Sequence, residues 1–170
     1  MNRLYWPSWA LATATTGLVG GFFLGHSLLL GRFFDWLLTS GRARTLAETY
    51  PAFREGSATL DIFYALAGLQ VLAGVAFAVA SLVGRRSTIP GLLVGLASIS
   101  WPTVHYLSGF AALEAAVLRS PTEPPRHVVD AFVAYNTPVH IYHAAILIVA
   151  LCVLLAVPRT SVTAKDLTDR

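Results

Sequence analysis

Four stretches of the chain, 8–31, 62–84, 87–113 and 131–158, contain no Lys, Arg, Asp or Glu. A helix needs roughly 20 mostly apolar residues to cross a bilayer, and each stretch reaches that length. Lipid offers the backbone no water, so a segment this apolar must satisfy its own N–H and C=O groups as a helix. The expected fold class is therefore an all-α integral membrane protein, a bundle of four transmembrane helices joined by short loops. The helices are expected at about 8–38, 59–84, 88–119 and 125–157, forming one domain over 1–158, with 159–170 as a mobile polar tail. Composition agrees: 55% of residues are hydrophobic and 12% charged, against about 25% charged in soluble domains.

The first stretch exceeds the apolar core of a signal peptide, roughly 7–15 residues. Arg32, Phe33, Phe34, Asp35 and Trp36 follow it where a small-residue cleavage site would be needed, so a retained helix is expected. Cys152 is the only cysteine, which excludes an intrachain disulfide, a thiolate metal cluster and a CxxC redox pair. The net charge of +3 is scattered along the chain, so no nucleic-acid footprint is present.

Basic residues divide evenly between the two sides of such a bundle. Arg3, Arg85, Arg86, Arg159, Lys165 and Arg170 fall on one; Arg32, Arg42, Arg44, Arg54, Arg119 and Arg126 on the other. Arg85 and Arg86 are concentrated in a very short loop, which favours cytoplasmic termini. The expected location is a bacterial cell (inner) membrane. In the first loop a short helix is expected from Ala43 to Tyr50, stopped by Pro51. Ser57 or Thr59 is expected to cap the second span, with Asp61 in its first turn suiting the helix dipole. Arg54 and Asp61 are candidates for an interfacial ion pair. Trp6, Trp9, Trp36 and Tyr50 read as interfacial anchors, and His127 as a solvated loop residue. Gly17, Gly21 and Gly25 recur at four-residue spacing, a row that admits close approach of another helix.

The polar residues inside the spans carry the functional signal. Asp35 to His26, Asp61 to Gln70 and Glu114 to His105 are each nine residues; Asp130 to His140 is ten. At about 1.5 Å per residue those steps are roughly 14 Å, close to half a hydrocarbon core of about 30 Å. With the acids at one interface, His26, Gln70, His105 and His140 converge near the midplane, and His143 lies about one turn deeper. Asn136, His140 and His143 share one face of the last helix. Nine residues of helix turn by about 180°, which puts Glu114 on the face opposite His105. Pro102 and Pro138 each free a backbone carbonyl close to a histidine, which a membrane tolerates where protein or a cavity satisfies it.

Ionisable groups at that depth are costly and usually line a bundle interior. Neutral imidazoles ligate transition metals, with His26, His105, His140 and His143 as candidate ligands. Histidines on different helices also hold haem b, with His26, His105 and His140 as candidate axial ligands. Without metal they can shuttle protons, or simply hydrogen-bond between helices. "HIYH" lacks the glutamate of HExxH, and no placed nucleophile supports a Ser-His-Asp triad.

Four short-looped helices in about this length, "GLVGGFF" in the first, "YPAF" in the first loop and "FVAYNTPVH" entering the last together resemble the small anthrone-oxygenase-like membrane proteins. The likeness is one of pattern over roughly the whole chain, with Tyr135 and Asn136 matching an aromatic-then-Asn feature. The chain departs from the family where an arginine is expected soon after that asparagine, at Val139, His140 and Ile141. It also carries His26 and His105 where apolar or amide residues are expected. The resemblance implies oxidation of an activated, hydrophobic aromatic substrate by dioxygen. His140 would be the base, with Asn136 or Gln70 orienting the substrate. Two other functions fit the sequence. One is an accessory subunit that meets a second copy or a membrane-complex partner through Gly17, Gly21 and Gly25. The other is a proton-coupled carrier.

Overall fold

A computed structural model describes residues 3–168, all except Thr59 and residues 158–168 with their side chains. Among the described residues there are helices and no strands. Helix α1 (Tyr5–Gly25) runs through one π-helical turn (His26–Leu30) into α2 (Gly31–Thr39). Then follow α3 (Ala43–Gly56), α4 (Thr59–Val83), α5 (Thr88–Leu107), α6 (Phe110–Leu118) and α7 (Arg126–Thr168). Three helical segments, Tyr5–Thr39, Leu60–Val83 and Arg126–Val157, are long and apolar enough to cross a membrane. Helix α5 is not among them, because Pro90, Ser98, Ser100, Pro102, Thr103 and His105 dilute its hydropathy.

Several local expectations change. The segment expected as one helix over 88–119 breaks at Ser108–Gly109, where Gly109 takes a left-handed conformation with φ +80°. Pro51 does not stop α3, which continues to Gly56 with the proline inside it. The N-cap of α4 is Ala58, with no side-chain cap bond, and the side chain of Thr59 lies outside the described residues. Most of the segment expected as a polar tail continues α7 as helix to Thr168, and residues 169–170 lie outside the described residues.

The close helix seam is α4 against α5, not the glycine row of α1. A Cβ on Gly91 would stand 2.5 Å from Ser81 Cβ, and one on Gly95 would stand 2.8 Å from Ala78 Cβ. In α1, Gly20 is the tight position, 3.2 Å from Leu147 Cβ on α7 for an added Cβ. The expected row is looser: Gly17 would meet only Leu151, at 3.8 Å, and Gly21 and Gly25 nothing within 4 Å. Trp9 Nε1 donates to Leu154 O at 2.8 Å, so this tryptophan ties α1 to α7 besides any interfacial role.

Apolar burial divides along the bundle. Tyr5, Phe77, Val94 and Leu154 fill one end. Val19, Phe23, Trp101 and Leu147 fill the middle. Phe34, Leu46, Phe110 and Phe132 join α2, α3, α6 and α7 at the other end. Large apolar side chains such as Leu18, Leu72, Leu96 and Val149 cover the outside. A soluble monomer rarely exposes so much contiguous apolar surface, whereas lipid matches it.

Candidate functional site

The site begins at the π turn. A wide i→i+5 turn is closed by the Gly31 N–H donating to His26 O, a distortion that often marks function. Gly31 leaves room there, since a Cβ would crowd His26 O at 3.0 Å and Asn136 Nδ2 at 3.3 Å. The open space lets Asn136 Nδ2 donate to Gly31 O (3.1 Å) and to Asp35 Oδ1 (2.8 Å). Thr137 Oγ1 donates to Asp35 Oδ2 at 3.2 Å. The carboxylate of α2 thus holds α7 against the π turn.

That clamp brings His26 onto His140, their rings stacked with centroids 3.9 Å apart. His140 Nδ1 lies 2.8 Å from Asn136 O. A carbonyl only accepts, so Nδ1 carries the proton and Nε2 of the neutral ring keeps its lone pair. His143 follows one turn on, its ring 6.0 Å from His140 and 5.7 Å from His105. It is fully buried, and neither ring nitrogen makes a well-formed hydrogen bond, the Trp101 backbone being its nearest polar neighbour.

Gln70 lies beside this cluster and is saturated. Its Nε2 donates to Thr16 Oγ1 (3.2 Å) and Ser98 Oγ (2.9 Å), and its Oε1 accepts from Trp101 Nε1 (2.9 Å). It therefore locks α1, α4 and α5 together and fixes the Trp101 ring. Asn136 is similarly engaged, with only Oδ1 left without a well-formed hydrogen bond.

Glu114 is placed differently from its sequence expectation. It meets His105 rather than facing away, with Oε2 3.6 Å from Nε2. The break at Gly109 resets the rotation of α6, so the 180° count along one continuous helix does not apply. The Ser-Gly pair in "HYLSGF" is the signal that finds this. Arg54 Nη2 donates to Tyr64 Oη at 3.0 Å, and no Arg54–Asp61 ion pair forms. Burial pushes the Tyr50 phenol up from its ordinary value, which keeps it neutral.

These groups line a cavity of about 640 Å³, within the roughly 300–1,000 Å³ of small-molecule sites. His26, His105, His140 and Trp101 line it together with Phe22, Phe23 and Phe63; Tyr50, Arg54, Tyr64, Glu114 and Arg119 also border it. Phe22 and Phe63 stack at 3.9 Å where α1 meets α4. His143 packs against Phe23 and Trp101, behind the cavity lining. Gln70 and Asn136 are not lining residues.

The structure thus brings the four histidines into one chain of ring contacts. Among the described residues, however, no three His, Cys, Asp or Glu side chains are arranged to hold a metal ion. The stacked His26 and His140 rings leave no gap for a haem between them. What the arrangement offers chemically is an aromatic-walled chamber lined by three imidazoles. The chain matches no protein-family model, no curated protein and no solved structure.

Proposed function

We propose that the protein is a four-span membrane bundle that admits a hydrophobic aromatic molecule into this cavity and oxidises it with dioxygen. The fourth span is α5. It packs on α4 through Gly91 and Gly95, while Ile89, Leu92, Leu93, Leu96 and Ile99 stay exposed on its outer face. The observation that carries the chemistry is His140, its Nδ1 tied to Asn136 O, among the residues that line an aromatic-walled cavity. The resemblance of the sequence to anthrone-oxygenase-like proteins points the same way.

An activated aromatic CH₂ beside a ring carbonyl loses a proton to His140 Nε2. The resulting carbanion reduces dioxygen and forms a C–O bond. The peroxide recovers the proton from His140, and loss of water leaves a second carbonyl. Overall CH₂ and O₂ become C=O and H₂O, with dioxygen as the oxidant and the histidine regenerated. His26, stacked on the His140 ring, holds its plane.

The test is anthrone turnover by detergent-purified protein, followed as quinone absorbance and oxygen uptake. A general base contributes about 10²–10⁴ in rate, so His140→Ala should lose at least about 100-fold. Full turnover in that variant would sink the proposal.

A further inference from the structure

Two guanidinium groups border the cavity and make no close ion pair, although Asp61 and Glu114 border it with them. Among the described residues the ion pairs are Arg44–Glu48, Arg126–Asp130 and His105–Glu114. Arg54 and Arg119 take part in none of them, although both charges act on Glu114. Arg54 is held in place by neutral groups: it donates to Tyr64 Oη and lies 5.9 Å over the Tyr50 ring. Arg119 follows directly on the last turn of α6 and is exposed.

The carboxylates near them are otherwise placed. Glu114 lies on the inner side against His105, its side chain 17% exposed. Asp61 is exposed in the first turn of α4, where the helix dipole suits it. The cavity therefore has two unlike ends. His26, His140 and Trp101 are buried and His105 is half-buried beside Glu114, whereas Arg54, Tyr64 and Arg119 are more exposed. A guanidinium fixed on aromatic faces at the edge of an apolar chamber suits a planar anion bidentately.

We infer that the ligand of this cavity is an amphiphilic aromatic acid, its anionic head against Arg54 and Arg119 and its ring system reaching the histidines. This rests on the cavity's being an aromatic-binding site, and it names the class of molecule that fits. A neutral polycycle would leave both cations with only the more distant Glu114 carboxyl. A carboxylate or phenolate head fixes which end of the molecule meets His140.

Binding tests this without any turnover. The non-reactive probes are anthracene-2-carboxylate and its neutral carboxamide, which share one ring system. Trp101 reports their entry by fluorescence quenching in protein whose other tryptophans, Trp6, Trp9 and Trp36, are changed to Phe. A charge-assisted pair supports about tenfold or more in affinity. The carboxylate should bind at least about tenfold tighter than the carboxamide. Arg54→Gln and Arg119→Gln should each remove most of that preference and leave carboxamide affinity within about twofold.

Equal affinity for the two probes, or a preference that survives both substitutions, overturns the inference. Carboxamide binding also reports an intact fold; if Arg54→Gln loses it, Arg119→Gln decides alone. Displacement of the carboxylate, but not of the carboxamide, by phosphatidylglycerol and not phosphatidylcholine vesicles assigns the cations to a lipid head group and overturns it too. Quenching by neither probe overturns this inference and the aromatic-site reading together. Failure of anthrone oxidation alone leaves the head-group inference standing.

Discussion

The clamp at the π turn makes a quantitative prediction. Asn136 Nδ2 donates to a neutral carbonyl, Gly31 O, and to a carboxylate oxygen of Asp35. In a membrane bundle a neutral interhelical hydrogen bond contributes about 0.6 kcal/mol. One to a charged acceptor contributes about 1.5–3 kcal/mol. Asn136→Ala is therefore expected to destabilise the protein by about 2–4 kcal/mol. Asp35→Ala removes the charged bond together with the longer one from Thr137. A double-mutant cycle isolates the shared part. Equilibrium unfolding in mixed detergent should return a coupling of about 1.5–3 kcal/mol between positions 35 and 136. Independent sites add within about 0.5 kcal/mol. A coupling below that limit would refute the clamp and the account of how His26 is held on His140.

Two further comparisons test the backbone argument and the seam. Gly109→Ala and Gly41→Ala both place a side chain at positive φ, +80° and +76°, at about 1–2 kcal/mol each. Thermal unfolding should show similar losses for both, but only Gly109→Ala should weaken probe binding at the cavity, because it alone disturbs the rotation that brings Glu114 to His105. Gly95→Leu should force α4 and α5 apart at a cost above about 3 kcal/mol, since even a Cβ meets Ala78. Gly21→Leu, with nothing within 4 Å, should stay within about 0.5 kcal/mol in the same unfolding assay.

The spans that charge-free stretches mark most clearly, α1, α4 and α7, are legible because apolar length alone decides them. The depth count also reaches the right neighbourhood: His26 stacks on His140, and His105 and His143 join by ring contacts. It works because nine residues of helix advance a similar distance wherever the helix starts. Rotation was less legible than depth. The π turn inserts one extra residue after Gly25, and Gly109 takes a left-handed conformation, so a face counted through either point within one span shifts. Glu114 is the clearest casualty, assigned to the wrong face by a count that assumed a continuous helix. The cavity border at Tyr50 and Arg54 depends on α3 packing back over the bundle; Ala43, Leu46, Ala47 and Tyr50 mark its buried face at helical spacing, but that spacing does not say which helices it meets.

The polar layer is really two layers with opposite character, and the contrast argues that only one is a site. Around Gln70 every side-chain polar atom has a protein partner from another helix, and the residue is fully buried. Such a network holds helices together and leaves nothing to react. Around His140 the accounting differs. His140 lines the cavity, and neither the nitrogens of His143 nor Asn136 Oδ1 makes a well-formed hydrogen bond, with only the Trp101 backbone and the His26 ring close by. Polar atoms left unpaired at membrane depth are expensive, and helix packing alone gives no reason to retain them. Glue of the Gln70 kind would be improved by closing those positions with apolar side chains. Retained beside an aromatic-walled chamber, they are better explained by a molecule or proton that visits. The two layers touch at Trp101, whose indole N–H is held by Gln70 while its ring packs on His143. The saturated layer thereby fixes one wall of the reactive one. Gln70→Leu should accordingly loosen Trp101 and weaken probe binding while leaving His140 Nε2 in place.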